Sequence, residues 1–354
     1  MKALVLSGGT GTRMRPFSYA MPKQLIPVAN RPVLFHVLDN VRRLGVTDVG
    51  LVSAGDATAI RDAVGDGTAH GLRITHIRQD RPLGLAHAVQ VAGSYLGDDD
   101  FVLYLGDNVL TDGLADIAAR FRAERPAAHL IVRKVPDPRA YGVVELAPDA
   151  TVTRLVEKPD RPRSDLALVG VYFLTARIHR AIAAIGPSAR GELELTDAVQ
   201  RLIDDGVEVR ATEYGGYWRD VGQVADLLEC NRYLLADLRP QLAGQVDPAS
   251  RVHGPVRVEP GARVVRSRID GPVLIGADTV VEDSVIGPGT AVGAGCLIRR
   301  SGLTDSIVMA GARITDTPGL DQSIIGHGAV VDGGTRAAPR RLLVTDHSLV
   351  QVPR

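Results

Sequence analysis

The stretch LVLSGGTGTRMRPFSYAMPKQ, residues 4 to 24, gathers the residue types that phosphate chemistry needs into one short run. Gly8, Gly9 and Gly11 leave backbone amides bare enough to cradle an anion, with Thr10 and Thr12 between and after them. Arg13 adds a planar guanidinium, and Lys23, within Pro22-Lys23-Gln24, adds a compact ammonium. Neither common phosphate-loop spelling fits. A P-loop closes on Gly-Lys-Ser/Thr, whereas Arg13-Met14 follows Gly11-Thr12 here. A dinucleotide loop opens a helix at once, and Arg15-Pro16 interrupts this one. Further along, LYLGDN (103–108) sets Asp107 just past an apolar run, LVEKP (155–159) pairs Glu157 with Lys158, and GYWRDVG (216–222) carries Asp220. Two carboxylates near several cations suit a hard divalent cation that shares its ligands with phosphate oxygens.

The use of lysine sharpens this reading. Of the 41 basic residues only four are lysines, Lys2, Lys23, Lys134 and Lys158. In a chain that spends arginine on its ordinary surface positions, Lys23 and Lys158 stand where a mobile point charge is useful. The balance of 41 basic against 41 acidic residues, with 4% aromatics, argues against a nucleic-acid partner. No apolar run reaches the length of a membrane span, and Cys230 and Cys296 are too far apart to suggest a disulfide framework. A cytoplasmic protein is expected.

The elements that position these residues fall into two regions. From residue 1 to about 238, short aliphatic runs alternate with amphipathic stretches, as in parallel α/β proteins. Strands are expected at 3–6, 49–53, 72–77, 101–105 and 130–135. Helices are expected near 33–44, 57–64, 85–96, 114–125, 176–185, 193–203 and 224–238. In the first helix Val33, Leu34, Val37, Leu38, Val41 and Leu44 share a face. From 239 to 354 the period changes. Val258, Val264, Ile269, Ile275, Val281, Ile286, Val292, Ile298, Leu303, Val308, Ile314, Leu320, Ile325 and Val331 recur every five or six positions, with Gly, Pro or Asp between them. That spacing predicts a parallel β-helix in which each short strand sends one aliphatic side chain inward. The hexapeptide pattern resembles the left-handed β-helix family, and it fades into a tail from about Leu342.

The opening motif, G-G-x-G-T-R-x-x-P with a downstream P-K-Q, resembles the signature of sugar-1-phosphate nucleotidylyltransferases. The order of the later motifs is similar to the glucose-1-phosphate thymidylyltransferases, and with the appended β-helix the chain looks like the long form of that family. The resemblance implies a Rossmann-like, mostly parallel α/β domain followed by the β-helix. It also implies a Mg²⁺-dependent reaction of dTTP with glucose 1-phosphate, giving dTDP-glucose and pyrophosphate, commonly in a homo-oligomer (tetramer or dimer). In this reaction two anions meet without a covalent intermediate, so the protein must hold them together and stabilise spreading charge.

Carried onto this chain, the resemblance implies a nucleotide site of Leu6, Gly8, Gly9, Gly11, Thr12, Arg13, Gln79, Pro82 and Gly84. Arg13, Lys23, Lys158 and Asp107 would be catalytic, and Asp107 with Asp220 would hold Mg²⁺. Asn108, Tyr141, Gly142, Glu157, Lys158, Val169, Tyr172, Glu192 and Trp218 would surround the sugar phosphate. Two alternatives stay open on sequence: use of UTP or another hexose 1-phosphate, since discrimination on a methyl is modest, and an acyl-transfer site in the β-helix around His253 or His327. His36, His76 and His87 read as structural.

Overall fold

In a computed structural model, residues 1–9, 11–55, 57–111, 114–334 and 340–352 are described; Thr10 of the glycine loop lies outside them. The chain forms two compact units: 1–9 with 34–220, and 10–33 with 221–354.

In chain order the strands to residue 220 are β1 (Lys2–Ser7), the hairpin pair β2 (Pro27–Val28) and β3 (Arg31–Pro32), β4 (Asp48–Ala54), β5 (Arg73–Gln79), β6 (Phe101–Leu105), β7 (Asn108–Leu110), β8 (Ala128–Lys134), β9 (Gly142–Leu146), β10 (Val152–Glu157), β11 (Leu166–Leu174), β12 (Val209–Glu213) and β13 (Trp218–Asp220). The first unit is built on a sheet of order β10-β9-β11-β6-β1-β4-β5, with β8 attached to β11 and β12 attached to β8. β6, β1, β4 and β5 run parallel, so their carboxyl ends share one edge. The helix Val33–Arg43 carries the predicted face, and its Val33, Leu34, Val37, Leu38 and Val41 are fully buried. The predicted helix 85–96 divides into Leu85–Val91 and Gly93–Leu96. The antiparallel strands β9, β10 and β11 were not expected. Only β11 is buried along nearly its whole length; the others are short, and their hydrophobic alternation is partial.

In the second unit three parallel sheets, of seven, seven and five short strands, stack coil on coil as a left-handed β-helix. All fourteen periodic aliphatic residues named above lie in its core. At one corner the coils are stitched by hydroxyls: the Oγ atoms of Ser250, Ser267, Ser284 and Ser301 each accept the N–H of the residue one coil on, the last from Thr317. The expected tail is a correction. Leu343–Val344 and Leu349–Gln351 extend the two seven-stranded sheets, so residues 340–352 form a further coil on which the aliphatic period is blurred by Asp346 and His347. Among the described residues no helix is long and apolar enough to cross a membrane.

His129 on β8 is buried, its Nε2 2.8 Å from Thr212 Oγ1. Burial, aided by Arg120, pushes its pKa down from 6.5 to about 4. The folded protein thus holds this ring neutral while the unfolded chain protonates it first. Stability is present above the unfolded value and is lost as pH falls from about 6.5 toward about 4. Over that window the group should remove roughly 3 kcal/mol. Urea midpoints measured across pH should show this slope, and His129→Gln should flatten it.

Candidate active site

Four parallel strands end side by side, and the residues just beyond them make a cavity. Leu6 pairs with Leu105 of β6, Ser7 with Ser53 of β4, and Ala54 with Gln79 of β5. The peptide N–H of Gly106 donates to Leu6 O at 2.8 Å, which ties the start of the β6–β7 turn to β1. The register therefore brings Gly8 and Gly9, Gln79, and Asp107 to one edge of the sheet. The cavity there has a volume of about 230 Å³ and is lined by Leu6, Gly8, Gly9, Val52, Gln79, Pro82, Gly84, Leu85, Ala88, Leu105, Asp107 and Glu192. Ligands of open α/β sheets bind at such an edge. Seven of the predicted nucleotide and metal residues, and Glu192 from the sugar set, meet in it.

Gly84 is required by close approach. Its φ is +110°, and a Cβ would lie 2.4 Å from Leu193 O and 2.8 Å from Leu193 N. The two segments are laced together by Leu193 N–H to Leu83 O (2.7 Å) and Ala86 N–H to Leu193 O (3.0 Å). This lacing carries Glu192 to the cavity wall.

Gln79 is held in one orientation. Its Nε2 donates to Gly84 O at 3.3 Å and lies 2.9 Å from His87 Nδ1. A carbonyl only accepts, so both amide protons are spent, His87 Nδ1 is the second acceptor, and the His87 ring proton sits on Nε2. Oε1 is the amide atom these two bonds leave over. His87, expected to be purely structural, thus orients a cavity residue. The helical spacing of Leu85, Ala88 and His87 could not reveal it.

A two-stranded ribbon relates Asp220 to the residue that follows Asp107. β13 pairs antiparallel with β7, with Asp220 opposite Asn108, next to Asp107 in the chain. The buried Asn108 amide links this ribbon: Nδ2 donates to Asp107 Oδ1 at 2.9 Å, and Oδ1 accepts from Trp218 Nε1 at 2.7 Å. Both ends of Asn108, expected at the sugar, are engaged in holding Asp107 and Trp218. Among the described residues no cluster of three or more His, Cys, Asp or Glu could cage a metal. A pair of carboxylates fits Mg²⁺, which takes one or two and completes its shell with water and phosphate.

The other predicted sugar residues form a charged patch over a buried floor. Gly142 faces Glu157 across β9 and β10, and a Cβ on it would meet Leu168, Thr196 and the Glu157 carboxylate at 2.6, 2.9 and 3.3 Å. Glu157 Oε1 is 3.2 Å from Lys158 Nζ and 3.3 Å from Arg190, while Oε2 accepts from Thr196 Oγ1 at 3.3 Å. Arg190 also reaches Glu192 and Glu194. Sequence reading passed over Arg190. Tyr141 packs edge-on against Trp218, 5.3 Å between centroids. Val169 and Tyr172 are buried, and Tyr172 belongs to the main core. Burial, with Glu157 and Glu194 adding to it, pushes the Tyr172 hydroxyl far above its usual pKa, so it stays protonated. Burial also lifts the Glu194 carboxyl.

Gly11, Thr12, Arg13 and Lys23 belong to the second unit. Gly11 sits at φ +59°, and its carbonyl accepts from Ser18 Oγ at 2.7 Å. The exposed Arg13 lies in a 3₁₀ turn, Thr12–Met14, and Lys23 opens another, Lys23–Leu25.

The nucleotidyl transferase family matches residues 2–237, which include every site residue above. The chain belongs to the nucleotidyl transferase family. Enzymes of this family generally use a divalent metal. A glucose-1-phosphate thymidylyltransferase of Streptomyces antibioticus is 54% identical over 268 residues, 75% of each chain. One from Streptomyces griseus is 53% identical over 267 residues, again 75% of each. Among solved structures, a Bacillus anthracis protein described as a glucose-1-phosphate thymidylyltransferase, in complex with sucrose, is 29% identical with a TM-score of 0.63. That match covers 68% of this chain and 97% of the other.

Gly84→Ala tests the cavity wall. The new methyl group must displace Leu193 backbone at a φ that L-residues avoid, which costs about 1–3 kcal/mol. We expect a lower melting temperature and a nucleotide KM raised at least about tenfold, read by calorimetry and steady-state kinetics.

Proposed function

We propose that the chain transfers a thymidylyl group from dTTP to glucose 1-phosphate, releasing pyrophosphate and forming dTDP-glucose. The observation that carries this reading is the cavity at the ends of β1, β4, β5 and β6, where glycine backbone, an oriented glutamine and a carboxylate meet. The two Streptomyces relatives, similar over three quarters of their length, support the choice of substrates.

A phosphate oxygen of glucose 1-phosphate attacks the α-phosphorus in line. A new oxygen–phosphorus bond forms, the bond from the α-phosphorus to its bridging oxygen breaks, and that oxygen leaves on pyrophosphate. The attacking group is already an anion, so no side chain need deprotonate it. The work is positioning and charge stabilisation. Gly8, Gly9, Gly11 and Thr12 cradle the triphosphate, with Leu6 and Pro82 on the nucleoside. Arg13 and Lys23 offset charge on the triphosphate, including the departing pyrophosphate. Lys158 meets the sugar phosphate, and Tyr141, Gly142, Glu157 and Glu192 bind the sugar, with Asn108, Val169, Tyr172 and Trp218 shaping the floor. Asp107 and Asp220 would hold Mg²⁺, which when bound would supply charge neutralisation and orientation at phosphate oxygens.

Base choice follows from Gln79. With both amide protons spent on Gly84 and His87, the side chain offers the base an acceptor. An acceptor pairs with the imide N–H of thymine or uracil and repels the ring nitrogen of cytosine, which is itself an acceptor. A site that leaves polar groups unpaired rejects a base far more strongly than one that misses a methyl.

Pyrophosphate release measured across a matrix of nucleoside triphosphates and sugar 1-phosphates tests this reading. dTTP with glucose 1-phosphate should be fastest, UTP within about 200-fold of dTTP, and CTP lower by about 10⁴. His87→Ala should narrow the gap between dTTP and CTP. Release with no pair, or fastest release with CTP, contradicts the reading.

A further inference from the structure

The segment that carries Arg13 and Lys23 is fastened to the β-helix by side chains that the transfer reaction does not use. Residues 10–33 and 221–354 form one compact unit. The segment ends in the hairpin β2–β3, whose two-residue turn is Ala29-Asn30, at φ 47° and 59°. Paired positive φ values are the geometry of the tight hairpin turn that usually takes Asn-Gly, so Ala29 holds a conformation that costs an alanine energy. What surrounds the turn accounts for it. The Ala29 N–H donates to Asn231 Oδ1 at 2.9 Å, and Asn231 Nδ2 donates onward to Gly289 O on the β-helix at 2.8 Å. Asn30 Nδ2 donates to Val292 O at 2.7 Å. Ala29 packs against the buried cluster of Leu235, Leu274 and Ala291, as does Leu238. Asn231, on the helix Val224–Ala236, is wholly buried, and Arg232 beside it reaches Asp305 at 2.6 Å.

We infer that the β-helix is a brace for the catalytic segment, with Asn30 and Asn231 as positioning residues that fix the pose of Arg13 and Lys23. A buried amide whose acceptor serves the hairpin and whose donor serves a β-helix coil allows one spacing between them. Met14, Phe17, Ile26 and Val28 are buried in the same segment, so a shift at the turn is transmitted along it instead of being absorbed by loose chain. A misplacement of about 1 Å at phosphate-binding cations can cost about a hundredfold in rate. The inference rests on the reading that Arg13 and Lys23 act on the triphosphate.

Asn30→Gly keeps the positive φ and removes only the side-chain bond to Val292. Asn231→Asp keeps the acceptor for Ala29 and removes the donor to Gly289. Three readouts separate positioning from general stability: kcat/KM for dTTP, melting temperature, and amide hydrogen exchange along residues 11–33. In Asn30→Gly we expect kcat/KM to fall at least about tenfold. Exchange in 11–33 should quicken, while exchange in β1, β4 and β6 and the melting temperature stay as in the parent chain. Asn231→Asp should act in the same direction; if it loses stability overall, Asn30→Gly decides. Unchanged kinetics with unchanged exchange in Asn30→Gly overturns the brace. Arg13→Ala checks the underlying reading separately. If that variant stays active, the role of Arg13 fails; if it is inactive while Asn30→Gly behaves as the parent, the brace alone fails.

Discussion

Two phosphate anions repel, and the reaction assigned to this chain must hold them within bonding distance. Two unit charges about 4 Å apart interact by about 4 kcal/mol at an effective dielectric of 20, and a triphosphate with a sugar phosphate carries several such pairs. The roles proposed for the site residues answer that repulsion: glycine amides for partial positive charge, Arg13, Lys23 and Lys158 for whole charges, and Asp107 and Asp220 as carboxylates of the kind that take a divalent cation. The surrounding sheet supplies no reactive group; its contribution is register.

Register explains why the site is spread so widely in sequence. Parallel pairing of β6, β1, β4 and β5 aligns their ends, and the β7–β13 ribbon brings Asp220 opposite Asn108, the neighbour of Asp107 in the chain, from more than a hundred residues away. Asn108 locks that ribbon by bonding Asp107 on one side and Trp218 on the other. The second unit continues the theme: an asparagine amide bridges hairpin and β-helix, and the coils beneath are tied by serine hydroxyls.

What could be read from the sequence was what is local. The glycine loop, the aliphatic period of the β-helix and the buried face of helix 33–43 each declare themselves within a few residues, because steric freedom and side-chain periodicity are short-range properties. Asp107 was legible from its place after a strand. Asp220 stood out as a second carboxylate, but nothing in RDVG says which strand it will pair with. His87, Asn231 and Arg190 were missed for the same reason: each matters through a partner many residues away or through one specific hydrogen bond. The last coil was mistaken for a tail because polar Asp346 and His347 break the aliphatic count. The serine ladder, at a spacing of 17, could have been found by extending the search for periodicity to hydroxyls.

The claim on which the account turns is that Asp107 and Asp220 jointly hold a divalent cation shared with the nucleotide. Electron paramagnetic resonance of Mn²⁺, bound in place of Mg²⁺ with a triphosphate whose α–β bridge is a methylene group, measures this directly. The account predicts a protein-bound Mn²⁺ signal that requires the nucleotide and disappears in the Asp107→Asn, Asp220→Asn double variant while the fold is retained. The same signal in the double variant would contradict it.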